Sequence, residues 1–91
     1  MGKAKPTDGY FTYIARCADD TLYSGWTRDP SRREQEHNAG RGAKYTRSRR
    51  PIQFIAVWRF ESQREAMQWE RFLKTLPREQ KLRLIAKAPN G

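Results

Sequence analysis

The sequence has one cysteine, Cys17, and one histidine, His37, among its 91 residues. A single thiol closes no internal disulfide, and no Cys/His cluster has the spacing of a zinc site. A reducing compartment is expected. Cys17 falls in a strand-like segment and reads as a small buried hydrophobe rather than a nucleophile. No stretch approaches the roughly 18 consecutive apolar residues of a membrane span, and the N-terminal MGKAKPTDG lacks an apolar signal-peptide core. The expected location is therefore the cytoplasm, with no membrane partner. Acidic residues are also few: 10 Asp and Glu stand against 19 Lys and Arg, a formal charge of +9. That excess favours polyanionic partners through steering and counterion release, nucleic acid first, although basic charge also serves solubility alone. Apolar residues make up only 36%, but three Trp, four Tyr and four Phe supply large buried area per residue. One compact domain with a small aromatic core is expected from this length.

Residues 1–8 are rich in Lys, Pro and Gly without periodicity and read as a flexible basic lead-in to a single domain over residues 9–88. Residues 10–17, YFTYIARC, are dense in aromatic and β-branched side chains. The turn-forming Ala18-Asp19-Asp20 separates them from a second short run, TLYSG, and together they predict a β-hairpin. Asp29 before Pro30 is a helix start, with the carboxylate as N-cap, and the helix should run to about Asn38. Almost no apolar residue lies on it, so it should sit on the domain surface and present Arg32, Arg33 and His37 outward or toward a cleft. Residues 39–50, AGRGAKYTRSRR, are the densest positive stretch and show no helical or strand period, which predicts a basic loop. Residues 51–60 alternate Ile52, Phe54, Ala56 and Trp58 against Gln53, Ile55, Val57 and Arg59, a third strand. Ser62 with Glu65 has capping-box form ahead of Ala66, Trp69, Leu73 and Leu76 at helical spacing, and Pro77 ends that helix and opens another. The order β-β-α-β-α-α predicts a small α/β fold, a three-stranded and mainly antiparallel sheet flanked by helices.

Several residues could carry chemistry. Glu70 lies between Ala66 and Leu73 on the apolar stripe, so a carboxylate is aimed at the core face. Unpaired burial would cost several kcal/mol, and the residue needs a metal, an arginine or a water-filled cleft. A structural Glu-Arg pair and a metal ligand are both open. Tyr13 and Tyr23 occupy opposite arms of the hairpin and can share one surface. Such tyrosines are usually packing residues, and an ordinary phenol is a poor base at neutral pH unless cations sit beside it. Arg33 and His37, four apart, face one side of their helix, where the guanidinium can grip a phosphate or remain a solvated charge.

Taken together, Thr12-Tyr13-Ile14, Tyr23-Ser24-Gly25, Asp29, Arg32, Arg33 and His37 resemble the core signature of the GIY-YIG nuclease superfamily. The closest likeness is to its short stand-alone bacterial members, with their HNxGxGAKYTRxRRP stretch. Here residues 37–51 read HNAGRGAKYTRSRRP, and Glu70 follows on the next long helix. The first motif departs as Phe-Thr-Tyr and the second as Tyr-Ser-Gly, each keeping its tyrosine. The resemblance implies a metal-dependent endonuclease that hydrolyses DNA phosphodiesters, of the kind that serves repair or recombination. It further implies that Glu70 binds one Mg²⁺ or Mn²⁺ ion, that Tyr23 activates the attacking water and Tyr13 supports or shares that task. Arg33 would hold the scissile phosphate, and His37 would be a helper of undefined role. Gly25 would let a phosphate approach the backbone closely. Arg32, Gly40, Gly42, Lys44, Tyr45, Thr46, Arg47, Arg49 and Arg50 would form the nucleic-acid-binding surface, with Tyr45 for base stacking. Two alternatives stand beside this reading: a nucleic-acid-binding module with weak or lost catalysis, and a nuclease subunit that needs a protein partner.

Overall fold

The computed structural model describes residues 8–88. The lead-in expected at residues 1–8 therefore lies, save Asp8, outside the described residues. Strands β1 (Tyr10–Arg16) and β2 (Leu22–Thr27) form the hairpin, and β3 (Gln53–Phe60) pairs with the other side of β1. All pairings are antiparallel in the order β2-β1-β3. The hairpin turn closes on Asp19, whose Oδ1 accepts from both the backbone N–H and the hydroxyl of Thr21 at 3.2 and 2.6 Å. Asp20 adopts φ 69°, the left-handed region that a short polar side chain tolerates.

Helix α1 (Pro30–Asn38) starts where Asp29 accepts from Arg32 N–H at 3.1 Å. Helix α3 (Gln63–Lys74) starts where Ser62 accepts from Glu65 N–H at 3.2 Å, and α4 (Arg78–Lys87) follows Pro77. The segment expected as a plain loop contains a further one-turn helix, α2 (Lys44–Arg47), so the order is β-β-α-α-β-α-α. One turn is too short to write a period into the sequence.

Each face of the sheet carries its own core. On one, Tyr13, Ala15, Cys17 and Ile52 pack with Tyr23, Phe54 and Val57. On the other, Ile14, Ala56 and Leu73 pack with Trp58 of β3, Trp69 of α3, Leu76 in the turn after it, and Leu84 and Ile85 of α4. Thr12 fastens α3 to this second face by donating its hydroxyl to the Ala66 carbonyl at 2.7 Å. The alternation expected for β3 is broken. Ile14 pairs with Ala56 but Ala15 with Phe54, so Ile55 is an extra residue. This bulge reverses the side-chain phase and sends Ile52 and Phe54 to one face and Ala56 and Trp58 to the other.

Helix α1 docks through polar groups instead of an apolar stripe. Asn38 donates from Nδ2 to the Ile52 carbonyl at 2.9 Å and accepts from Ile52 N–H at 2.7 Å, while Glu34 accepts from Phe54 N–H at 2.9 Å. Those bonds satisfy the start of the outer strand β3, which has no further strand beyond it. Leu73 is fully buried against the second face whereas Leu82 on α4 is 42% exposed. Leu73→Ala should destabilise the fold by about 2–5 kcal/mol, and Leu82→Ala by less than about 1 kcal/mol, as read from urea unfolding midpoints.

Candidate active site

The hairpin register sets Tyr13 opposite Gly25, and the phenol lies across the glycine. A Cβ at position 25 would stand 2.5 Å from the Tyr13 oxygen. Gly25 is therefore small because Tyr13 occupies the space a side chain would need. Tyr13 is 1% exposed and stacks on Phe54 with ring centroids 4.0 Å apart. A phenol so enclosed needs a polar partner, and α1 supplies it: the Tyr13 hydroxyl lies 2.9 Å from His37 Nε2.

His37, expected to point outward or toward a cleft, is instead fully buried. Its Nδ1 lies 2.8 Å from the Thr46 hydroxyl of α2, and the chain closes where Thr46 donates to the Ala43 carbonyl at 2.9 Å. Thr46 is likewise fully buried and lies beneath the basic surface it was expected to belong to. Gly42 leaves room for the imidazole, since a Cβ there would collide with Nδ1.

Tyr23 is half-buried beside this chain, its ring centroid 6.5 Å from that of Tyr13 and 5.7 Å from that of His37. The Lys74 ammonium sits 5.9 Å from the Tyr23 ring centre and pairs with Glu70 at 3.0 Å. Glu70 does not point squarely into the core as expected. It lies on the flank of the Ala66–Leu73 stripe with its side chain 19% exposed, and its partner is the lysine one turn on instead of an arginine. Arg33 pairs with Glu36 at 3.0 Å and lies close enough to the Tyr13 phenol to favour its charged form. Arg32, its side chain 76% exposed, meets the same carboxylate at 3.3 Å. Beside them runs an open groove of about 480 Å³ lined by Trp26, Arg28, Arg32 and Arg33.

The basic segment divides by function. Lys44 and Arg47 are exposed on α2. Arg49 pairs with Asp19 at 3.0 Å, donates to the Tyr45 carbonyl at 2.7 Å and covers the Tyr45 ring at 3.9 Å. Arg50 donates to the carbonyls of Arg47 and Asn38 at 2.8 and 3.3 Å, and Gly40, at φ 83°, makes the turn beneath it. These two arginines brace α2. Tyr45 also stacks against Tyr23 at 5.8 Å, so its ring is already engaged on this surface. Sequence reasoning missed Glu34, Asn38 and Lys74. The i,i+4 spacing of Lys74 from Glu70 was the one available signal, since the other two act on backbone far along the chain.

Burial dominates the electrostatics. It pushes the Tyr13 phenol up to about 12 against the opposing pull of Arg33. It also pushes His37 below its ordinary value of 6.5, with Arg33 acting in the same direction. At neutral pH the pair is a neutral phenol against a neutral imidazole.

The hairpin, the arginine-bearing helix α1 and the flank glutamate of α3 meet around Tyr13 in a small α/β domain. The GIY-YIG catalytic domain model matches residues 9–83, and the chain belongs to that family. It is 48% identical to a UPF0213 protein of Natronomonas pharaonis over 77 residues, covering 85% of this chain and 91% of the relative. A UPF0213 protein of Staphylococcus aureus is 44% identical over 78 residues, with 86% and 95% covered. The solution NMR structure of a UPF0213 protein from Bacillus halodurans superimposes with a TM-score of 0.56 at 44% identity, covering 86% of this chain and 83% of that one. That of an E. faecalis protein gives 0.57 at 38% identity, covering 92% and 88%.

His37 ties stability to pH. Its folded value lies below the unfolded one, so its contribution is complete above about pH 6.5 and is lost as pH falls through the folded value. Urea unfolding should show stability falling as pH is lowered from about 6.5 toward the folded value of His37. A His37→Gln variant should be less stable at neutral pH and nearly flat across that interval.

Proposed function

We propose that this chain is a divalent-metal-dependent endonuclease-type phosphodiesterase acting on DNA, carried by one domain over residues 9–88 in the cytoplasm. The observation that carries the proposal is the convergence of Tyr23, Arg33 and Glu70, with its partner Lys74, around Tyr13; of these Arg33 also lines the open groove. Arg33 grips the scissile phosphate and offsets the charge that develops on it. Tyr23, less enclosed than its neighbour, takes the proton of the attacking water. Tyr13 retains its own proton at neutral pH and supports the site from below by fixing Arg33 and His37. Glu70 is the carboxylate that would hold the ion. A single carboxylate suits Mg²⁺, which keeps several waters and completes its shell with substrate phosphate. Among the described residues no group of three or more His, Cys, Asp or Glu side chains is placed to hold an ion. When bound, the ion supplies charge neutralisation at the phosphate.

Lys44 and Arg47, with Arg32 along the groove, are the exposed cations that would follow the phosphate backbone. No helix among the described residues is long and apolar enough to cross a membrane.

End-labelled single-stranded, duplex and branched DNA, and RNA, should be tested for cleavage with Mg²⁺ or Mn²⁺, with binding followed in parallel. The wild type should cut. Tyr23→Phe and Glu70→Ala should lose about 100- to 10,000-fold in rate while binding stays within a few-fold. Binding without cleavage by all three proteins points instead to a binding module or partner-dependent subunit, a reading favoured by the Lys74 ammonium that occupies Glu70. Lys44→Ala and Arg47→Ala should each weaken binding on every sequence and reduce the slope of log affinity against log salt by about one.

A further inference from the structure

Thr46 is the inward member of an otherwise outward-facing turn: Lys44, Tyr45 and Arg47 are exposed, and Thr46 has no exposure at all. Its hydroxyl touches two groups, the Ala43 carbonyl at 2.9 Å and His37 Nδ1 at 2.8 Å. A hydroxyl has one hydrogen. A carbonyl can only accept, so the contact with Ala43 is a hydrogen bond only when Thr46 donates to it. The contact with His37 is then a hydrogen bond only when Nδ1 carries a hydrogen and donates it to Oγ1. The reverse arrangement would set the Thr46 oxygen 2.9 Å from the Ala43 carbonyl oxygen with no hydrogen between them, the carbonyl keeping only its bond from Thr46 N–H at 3.1 Å.

We infer that Thr46 is a positioning residue that fixes His37 as the Nδ1–H tautomer, so that Nε2 accepts the Tyr13 phenol proton and the phenol lone pairs are left for Arg33. A second feature agrees: the segment closes so tightly over Nδ1 that Gly42 has no room for a Cβ. The relay of directions runs from Tyr13 O–H to His37 Nε2, from His37 Nδ1–H to Thr46 Oγ1, and from Thr46 O–H to the Ala43 carbonyl, with no group unmatched. Its catalytic consequence rests on the nuclease reading above. Thr46 then governs the rate through the orientation of Tyr13 and Arg33, whereas Lys44 and Arg47 on the same turn govern substrate affinity.

His37 is the only histidine in the chain, so ¹⁵N-histidine labelling gives one pair of ring-nitrogen resonances. In the wild type Nδ1 should resonate as protonated and Nε2 as bare. Thr46→Ser keeps the hydroxyl and should keep that pattern. Thr46→Val removes it and should mix the tautomers, lowering kcat at least about tenfold with KM and DNA binding unchanged, while Ser stays within a few-fold of wild type. A wild type protonated at Nε2 overturns the assignment, as does a folded Val variant that keeps either the single tautomer or the wild-type kcat. If Val fails to fold, the wild-type and Ser spectra still decide. A wild type that cuts no substrate but shows the expected spectrum rejects the nuclease reading and leaves the tautomer assignment standing. One that cuts while protonated at Nε2 does the opposite.

Discussion

A phenol hydroxyl buried in the middle of a three-stranded sheet must find a hydrogen-bond partner, and the architecture on that face follows from this requirement. Tyr13 sits on the central strand, where no solvent reaches its oxygen. Its cross-strand neighbour must then lack a side chain, which accounts for Gly25. The partner must come from outside the sheet, so the last turn of α1 is held over it to deliver His37. His37 in turn has a second nitrogen to satisfy. That need draws the basic segment inward at Thr46, folds α2 and excludes a side chain at residue 42. One buried hydroxyl thus fixes elements that come from separate parts of the chain.

The two faces of the sheet have unequal duties. The second face, with Ile14, Ala56 and Leu73 under Trp58 and Trp69, is an ordinary apolar core that stabilises by removing apolar area from water. The first face is smaller and carries a histidine, a threonine and two tyrosines, which contribute less through burial and more through direction. Helix α3 joins the two. Its Leu73 anchors the apolar side, and the flank of the same helix brings Glu70 and Lys74 round to Tyr23. Placing the glutamate on the flank avoids the burial of an uncompensated carboxylate that a position on the stripe itself would have imposed.

The hairpin, the caps of α1 and α3 and the proline break before α4 were legible because each is written in neighbouring residues. What escaped was non-local. The face switch in β3 belongs to the pairing with β1, since nothing in the run Ile52-Gln53-Phe54-Ile55 marks the extra residue. The burial of His37 was hidden because α1 lacks an apolar stripe, and its docking through Glu34 and Asn38 uses groups that more often face solvent. Arg49 and Arg50 read as phosphate contacts because charge density is visible in sequence, while their internal acceptors are backbone carbonyls that any residue would offer. The resemblance to GIY-YIG proteins supplied the candidate site residues. It did not contain the reason for Gly25 or the inward turn of Thr46.

The environments of the two tyrosines separate the tasks they can perform. A phenol held near 12 by burial stays protonated through the physiological range, so Tyr13 acts as a donor to His37 and a fixed acceptor for Arg33. Tyr23 lacks that enclosure and has the Lys74 ammonium 5.9 Å from its ring centre as well as the edge-on His37 ring. In the proposed reaction the proton-accepting role therefore falls to Tyr23 by exclusion of its neighbour as well as by its own position. The Lys74 contact bears on the same division. Its ammonium is about half exposed, and an i,i+4 pair of that kind contributes only about 0.3–0.5 kcal/mol. Lys74 can leave Glu70 at little cost when a cation of higher charge competes for the carboxylate. An arginine buried at that point would have held the glutamate closed, so the partial exposure of α3's flank is what keeps the carboxylate exchangeable.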